Sequence, residues 1–460
     1  MSLFLTDFDQ WAEEYEAASP KQKYELMKAA IAEPISLDYA HDIYIGDFLL
    51  DVPEILLACN QIDEYLSFWQ TFQKQQPALY QEEFPYLDDI PIKYSLFRDR
   101  LDEVRHALSQ FQANPAKGID SLAEVLEIVG FYPSAVPSFV ELCRAVYHPL
   151  AESPELLGGS EVPFGNSIVF DLLERAHEQR QQGAAVDWQA FKREAIQYGV
   201  EGKAELWQEI ERDLTAELEV GDSLVEWFQR DRNDALRHLT VQFCRELKDR
   251  YDLSFITSHK IVTNIWDCLE NPEFSATEQA DPDEYFATNN IKLDRSVGKE
   301  IYTLLSMYPS RGFAILWGIP LLYEFLQEKQ VISAEVAEGA ISVAQDLQPK
   351  LIDAFKQSLW QFDFVHRWPC PMSVSAEAFA AEAEQFAASF GTPTPLSDEP
   401  PKESHDDRPF LPAIDPMLMS NAYSLSGQPE KPRKSPLQEA RDLGKPKKKS
   451  GKKNKKKGFG

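Results

Sequence analysis

Residues 204–218 read AELWQEIERDLTAEL. Leu206, Trp207, Ile210, Leu214 and Leu218 recur at intervals of three and four, which gathers them on one broad face of an α-helix. The same period returns on either side, over Ile168–Gln182 and Trp188–Tyr198 before it, and over Leu236–Tyr251 and Ile261–Leu269 after it.

Toward the N-terminus, Ser19-Pro20 reads as an N-cap followed by proline in the first turn, ahead of Leu26, Met27, Ala30 and Ile31. One helical region is expected over Val52–Phe72, with Ile55, Leu56, Cys59, Ile62, Leu66 and Trp69 in register, and another over Leu96–Phe111. Ser121 and Glu124 form a capping box before Leu122, Val125, Leu126 and Val129, and Gly130 is expected to stop that helix. A further helix follows from Ser134 to Tyr147. Pro149, Pro154, Gly158, Gly159, Pro163 and Gly165 then predict a long loop or junction over 149–167.

Toward the C-terminus, Asn271–Asn290 carries Glu273, Glu278, Asp281, Asp283 and Glu284 and no lysine or arginine, so it is expected as an exposed acidic insertion. Helices are expected near Val297–Tyr308, Phe313–Leu326, Ala334–Leu347, Leu351–Phe364 and Ala376–Phe390, with Gly318 and Pro320 dividing or kinking the second. From Gly391 onward eleven of the thirty prolines fall among many Ser, Lys and acidic residues. Such a mixture buries too little apolar surface to offset the entropy of ordering. Two islands there, Phe410–Tyr423 and Leu437–Leu443, read as segments that order on binding.

The expected fold is therefore all-α, an α-solenoid-like array or a layered helical bundle, with a disordered basic C-terminal tail. Its expected parts are an N-terminal helical unit (1–150), a second unit (166–390) with an acidic loop near 271–290, and the tail (391–460). Helix pairs recur 30–45 residues apart, within the range of helical repeats, yet no repeated consensus emerges and the tetratricopeptide pattern is absent.

Charge divides the chain in two. The net charge is −29, but thirteen Lys and Arg from Lys431 onward face only Glu439 and Asp442, giving +11 there and −40 before it. The body should repel polyphosphates and the tail attract them. Cys59, Cys143, Cys244, Cys268 and Cys370 are scattered, with no CxxC pair, as expected of thiols in a reducing compartment. Met1–Asp9 does not read as a secretory signal, and the most apolar run, Gly312–Leu322, is about half a membrane span. Cytoplasmic residence with no transmembrane segment is the expectation.

Candidate chemistry is sparse. Glu103/His106 and Glu174/His177 repeat a Glu-x-x-His pattern that puts carboxylate and imidazole on one helical face, as di-iron bundles use, with Glu141 and Glu209 as conceivable further ligands. Charged neighbours favour plain surface pairing. Asp231, Asp234 and His238 form a second cluster, which the adjacent Arg230, Arg232 and Arg237 explain as a salt-bridged surface. His259-Lys260 reads as cap or surface chemistry. Trp360–Pro369 and the aromatics Tyr302, Tyr308, Phe313, Trp317, Tyr323 and Phe325 read as core before binding edge. No HExxH, GxxxxGK[ST], Rossmann or G-x-S-x-G pattern is present. No catalytic residue, cofactor or metal is assigned.

Ser450-Gly-Lys-Lys-Asn-Lys-Lys456 resembles the central part of the SEC-C motif, the small zinc-binding tail of the translocation motor SecA and of various helical bacterial proteins. Where that motif carries its four ligands, this chain has Pro446, Lys448, Lys457 and Gly458. The resemblance thus implies a metal-free derivative that keeps the charge and lacks the zinc-organised fold. The expected function is a non-enzymatic interaction or scaffold protein. A protein partner is expected on the helical body, and RNA, the ribosome or another anionic surface on Lys447, Lys448, Lys449, Lys452, Lys453, Lys455, Lys456 and Lys457. The rival expectation is a metal-dependent helical enzyme using the Glu-x-x-His pairs.

Overall fold

The computed structural model describes residues 3–83, 89–113, 119–152, 165–200, 204–217, 222–269, 281–301 and 308–399. Every regular element among them is a helix. The first group is α1 (Leu3–Thr6), α2 (Phe8–Ala17), α3 (Pro20–Ile31), α4 (Leu37–Asp42), α5 (Ile45–Ala58), α6 (Ile62–Gln75), α7 (Pro77–Glu83) and α8 (Asp89–Phe97). Next come α9 (Leu101–Ala113), α10 (Ile119–Phe131), α11 (Val136–Ala151), α12 (Gly165–Gln181), α13 (Trp188–Gln197), α14 (Ala204–Thr215), α15 (Asp222–Arg230) and α16 (Arg232–Tyr251). The last are α17 (Phe255–Leu269), α18 (Pro282–Phe286), α19 (Asn290–Ile301), α20 (Pro309–Glu328), α21 (Ala334–Ala354), a 3₁₀ helix (Leu359–Arg367) and α22 (Ala376–Ala388).

The Ser19 cap forms as expected: its hydroxyl accepts from the Gln22 amide while Gln22 bonds back to the Ser19 amide. Elsewhere local signals were overridden. Val52–Phe72 is two helices, because Asn60 takes a left-handed φ of 54° between α5 and α6. Helix α10 begins at Ile119, so the expected cap position Ser121 falls within its first turn. It also runs through Gly130 and ends before Pro133, whose ring holds Tyr132 extended. Pro320 does not divide α20, which is packed on all sides, and Pro349 does not divide α21, where it lies on the exposed face. The expected Leu351–Phe364 helix is instead the end of α21 followed by the 3₁₀ helix.

Helix α20 is buried around its whole circumference, from Phe313 to Leu326 with the sole exception of the half-buried Glu324. It lies against α17, α19 and α21, and α17 in turn meets α10, α12 and α16. This makes the larger part of the molecule a layered bundle with α17 and α20 as its middle. Gly318 allows the central contact: a Cβ there would come within 2.6 Å of Ile261 Cγ2. Part of the predicted acidic loop also packs here. Phe286 of α18 is fully buried among Phe228, Trp266 and Tyr323, and its carbonyl accepts from the Tyr323 hydroxyl at 2.8 Å. Residues 271–280 of that expected loop, and 153–164 of the expected junction, lie outside the described residues.

Apolar packing divides between Tyr80 and Ile92, while α9–α11 share one core with the helices from α12 onward. Two elements belong to both cores. Helix α8 turns Ile92 and Leu96 to the large core and Tyr94 to the small one, and the 3₁₀ helix turns Phe362 and Phe364 to the large core and Trp360 to the small one. Phe364 stacks on Phe131 at 4.7 Å, the Tyr132 hydroxyl donates to Asp363 at 2.5 Å, and Arg367 bridges Asp363 to Asp99. Burial raises the Asp363 carboxyl despite bonds from Tyr132 and the Arg367 charge, which oppose the rise.

Residues 391–399, expected to begin the tail, follow the small core as an extended strap. Phe390 and Leu396 pack against that core; Thr394 N–H donates to Cys59 O at 3.0 Å, Lys21 N–H donates to Ser397 O at 3.2 Å, and Lys21 pairs with Asp398 at 3.0 Å. Residues 400–460 lie outside the described residues. Among those described, no single helix is long and apolar enough to cross a membrane.

Because Phe364 fills the joint of α10 and the 3₁₀ helix with no exposure, Phe364→Ala should cost about 3–5 kcal/mol of stability, read from urea unfolding by far-UV circular dichroism.

Candidate functional site

A groove runs between α6 on one side and α8 and α9 on the other, with a volume of ≈ 520 Å³. The i, i+3, i+4 spacing of α6 brings Leu66, Trp69, Gln70 and Gln73 to its wall; Tyr80, Ile92 and Phe111 add apolar surface, and Ser95, Gln110 and His106 add polar groups. Aromatic surface beside amides suits a peptide or helix of a partner protein. Glu103 and His106 line this groove, but Glu103 accepts from Ser95 Oγ at 3.1 Å and Arg100 at 3.4 Å, while His106 is exposed.

Glu174 and His177 serve elsewhere. Lys248 Nζ reaches Glu174 at 2.8 Å and Glu178 at 3.0 Å, and the Phe255 N–H donates to Glu174 at 2.8 Å. His177 is buried with Nε2 2.6 Å from Asp249 Oδ1. These bonds lock α12 to α16 and to the start of α17. Glu209 pairs with Arg237 at 2.9 Å and Glu141 is exposed. The six residues of the expected ligand set are therefore not gathered at one site, and no group of three His, Cys, Asp or Glu able to hold a metal occurs among the described residues. That removes the geometry on which the Glu-x-x-His enzyme reading depended.

The cluster expected as a salt-bridged surface is salt-bridged, around the fully buried carboxylate of Asp213. Asp231 is the N-cap of α16, accepting from the Asp234 amide. Asp213 of α14 has no exposure and accepts from Arg237 Nε at 2.8 Å and from Arg212 at 2.9 Å, with His238 Nδ1 at 3.0 Å. Asp234 accepts from both arginines and from Trp227 Nε1. Burial alone would raise the Asp213 carboxyl; bonds from His238 and Arg237, the Arg237 charge and the Arg212 bond outweigh it and hold the group below the ordinary carboxylate range. Sequence reading missed Asp213. The signal was present: it lies three residues after Ile210 and one before Leu214, inside the apolar stripe.

His259 and Lys260 sit inside α17, one turn from its start, and not at a cap. The His259 ring lies 3.7 Å from that of Phe170 and keeps only an edge toward solvent; burial, helped by the Lys260 charge, pushes it down to about 3. Lys260 spans the backbone of Gly130, where a Cβ would collide with its stem, and its ammonium lies 5.5 Å from the Phe131 ring and 5.6 Å from that of Phe139. Glu127 is held bidentately by Arg311 at 2.7 and 3.0 Å. Burial lowers the Lys260 amine, against the pull of Glu127. The network ties α10, α11 and α17 together.

The eight tail lysines lie outside the described residues. No family model, curated protein or solved structure matches the chain.

Asp213→Asn should cost about 3–5 kcal/mol at neutral pH, since two guanidiniums lose a buried counter-charge. The lowered carboxyl stabilises the fold above its ordinary value, and that contribution is lost as pH falls through the lower folded value. The gap between variant and wild type in urea midpoints should therefore close only in strong acid. For His259, folding depresses proton uptake, so stability falls as pH drops from its ordinary 6.5 toward about 3. His259→Gln should flatten unfolding free energy against pH in that window by up to a single proton's slope.

Proposed function

We propose that this protein is an interaction protein: its helical body receives a protein partner in the groove between α6 and α9, and its lysine-rich end captures an RNA-like polyanion electrostatically. The observation that carries the reading is the opposition of charge within one chain, −40 over residues 1–430 against +11 over the last thirty. An acidic body repels a polyphosphate from its own surface, so attraction concentrates on Lys447–Lys449, Lys452, Lys453 and Lys455–Lys457. The strap supports this division. It ties the chain to the small core through Asp398, and the lysines begin more than forty residues further along the sequence. Cytoplasmic work on RNA or the ribosome follows from the same polarity. The missing SEC-C ligands at Pro446, Lys448, Lys457 and Gly458 fit a contact made by charge without zinc.

Many mobile ammonium groups contact phosphates without reading bases, so affinity should follow total charge. With poly(U) as probe, log K should fall against log salt with a slope near −0.7 per phosphate contacted, or roughly −5 for eight lysines. Replacing all eight with glutamine should remove most binding at low salt and flatten that slope. Binding by the wild-type chain that ignores salt, or a glutamine variant that binds equally well, would reject the proposal.

A further inference from the structure

A smaller cleft of ≈ 230 Å³ opens where the two cores meet, lined by Pro53 and Leu57 of α5, Ile90 of α8, Phe355, and Trp360 and Phe362 of the 3₁₀ helix. Glu54 is the one ionisable group among its lining residues. Small-molecule sites run to about 300–1,000 Å³, so this cleft suits a few apolar side chains of a peptide better than a cofactor. An apolar track leads into it along α5. Leu50 is 39% exposed, and Pro53 and Leu57 follow at three and seven residues.

The strap passes beside this cleft. Ser389 Oγ accepts from the Trp360 amide at 2.8 Å, the Phe390 ring is 6.0 Å from that of Trp360, and Thr394 bonds to the carbonyl of Cys59, next to the lining residue Ala58. Glu399 lies five residues past Thr394, so it stands within about 18 Å of Cys59. Phe410 follows eleven residues later, with a reach of roughly 36 Å. The sequence from Phe410 to Tyr423 is the apolar island of the tail, with Phe410, Leu411, Ile414, Met417, Leu418 and Met419 and a single carboxylate, Asp415.

We propose that Phe410–Tyr423 docks into this cleft within the same chain, placing Leu and Met side chains against Leu57, Phe355 and Phe362. Three facts converge on that occupant. The last described residue, Glu399, lies within reach of the cleft, the contour length from there to Phe410 exceeds that distance, and the segment's apolar character matches the walls. Tethering also gives the segment an effective concentration on the order of millimolar at the cleft, which an untethered apolar partner must exceed. Methionines adapt to an irregular cavity of this size. The inference concerns an apolar contact and does not rest on polyanion binding by the lysines.

The full chain carrying p-benzoylphenylalanine at Leu418 tests it by irradiation and peptide mapping. Expected are crosslinks within single chains to residues 50–58 or 355–362. In the same labelled chain, Leu57→Glu should lower their yield about tenfold, because a carboxylate disfavours an apolar cleft. Far-UV circular dichroism checks that the variant keeps its helices. Crosslinks between two chains, crosslinks to the groove between α6 and α9, a scatter over the surface or no crosslink would each overturn the proposal. So would a yield unchanged in a helical Leu57→Glu chain. The map from the labelled chain decides the matter even where that variant loses helix.

Discussion

Helix α20 has almost no polar side. A helix of twenty residues with Phe313, Ala314, Ile315, Leu316, Trp317, Ile319, Leu321 and Leu322 buried can exist in water only if other helices enclose it. That need orders the rest of the larger core. α17 closes one side through Gly318, α19 and α21 close others, and the 3₁₀ helix stacks Phe362 on Phe313 at 4.3 Å. Helix α22 completes the cover: Glu382 accepts from Trp317 Nε1 at 2.6 Å and lies 2.9 Å from His366 Nε2. A strictly linear array of repeats, touching only sequence neighbours, cannot enclose a helix in this way.

Charge is used inside the body to fix relative positions. Asp213 with its two arginines, Glu174 with Lys248, and Glu127 with Arg311 each join helices distant in sequence. A buried ion pair adds little net stability compared with a good apolar contact, but an alternative packing would strand a charge without a partner. These groups are therefore occupied by one another. Among the described residues, the amide-rich groove beside α6 and the apolar cleft at the joint offer contact area for chains more than chemistry for small substrates.

Helical character, capping at Ser19 and the aromatic core at Trp360–Trp368 were legible because each depends on residues close in sequence. What was illegible depends on pairings across the fold. Asp213 looks like one more acidic residue until Arg237 and His238 of α16 are set beside it. Gly130 reads as a helix stop, whereas its bareness makes room for Lys260. Pro320 should break its helix by local rules, and enclosure by neighbours keeps α20 continuous. The strap was misread for the opposite reason: composition marks Thr394–Asp398 as unstructured, and three hydrogen bonds with two apolar anchors hold it down.

The joint also sets an order of events during synthesis. Residues 4–80 form most of the small core, but Trp360 and the Phe390 anchor that cover Tyr94 and Phe97 are made about 280 residues later. At about 5–20 residues per second the nascent N-terminal helices wait roughly 15–55 s for their last wall. Throughout that interval a cluster of aromatic rings stands open on a partly built chain. The molecule thus carries its greatest exposure to misassociation before release from translation, and chains cut short anywhere before the 3₁₀ helix keep that exposure permanently.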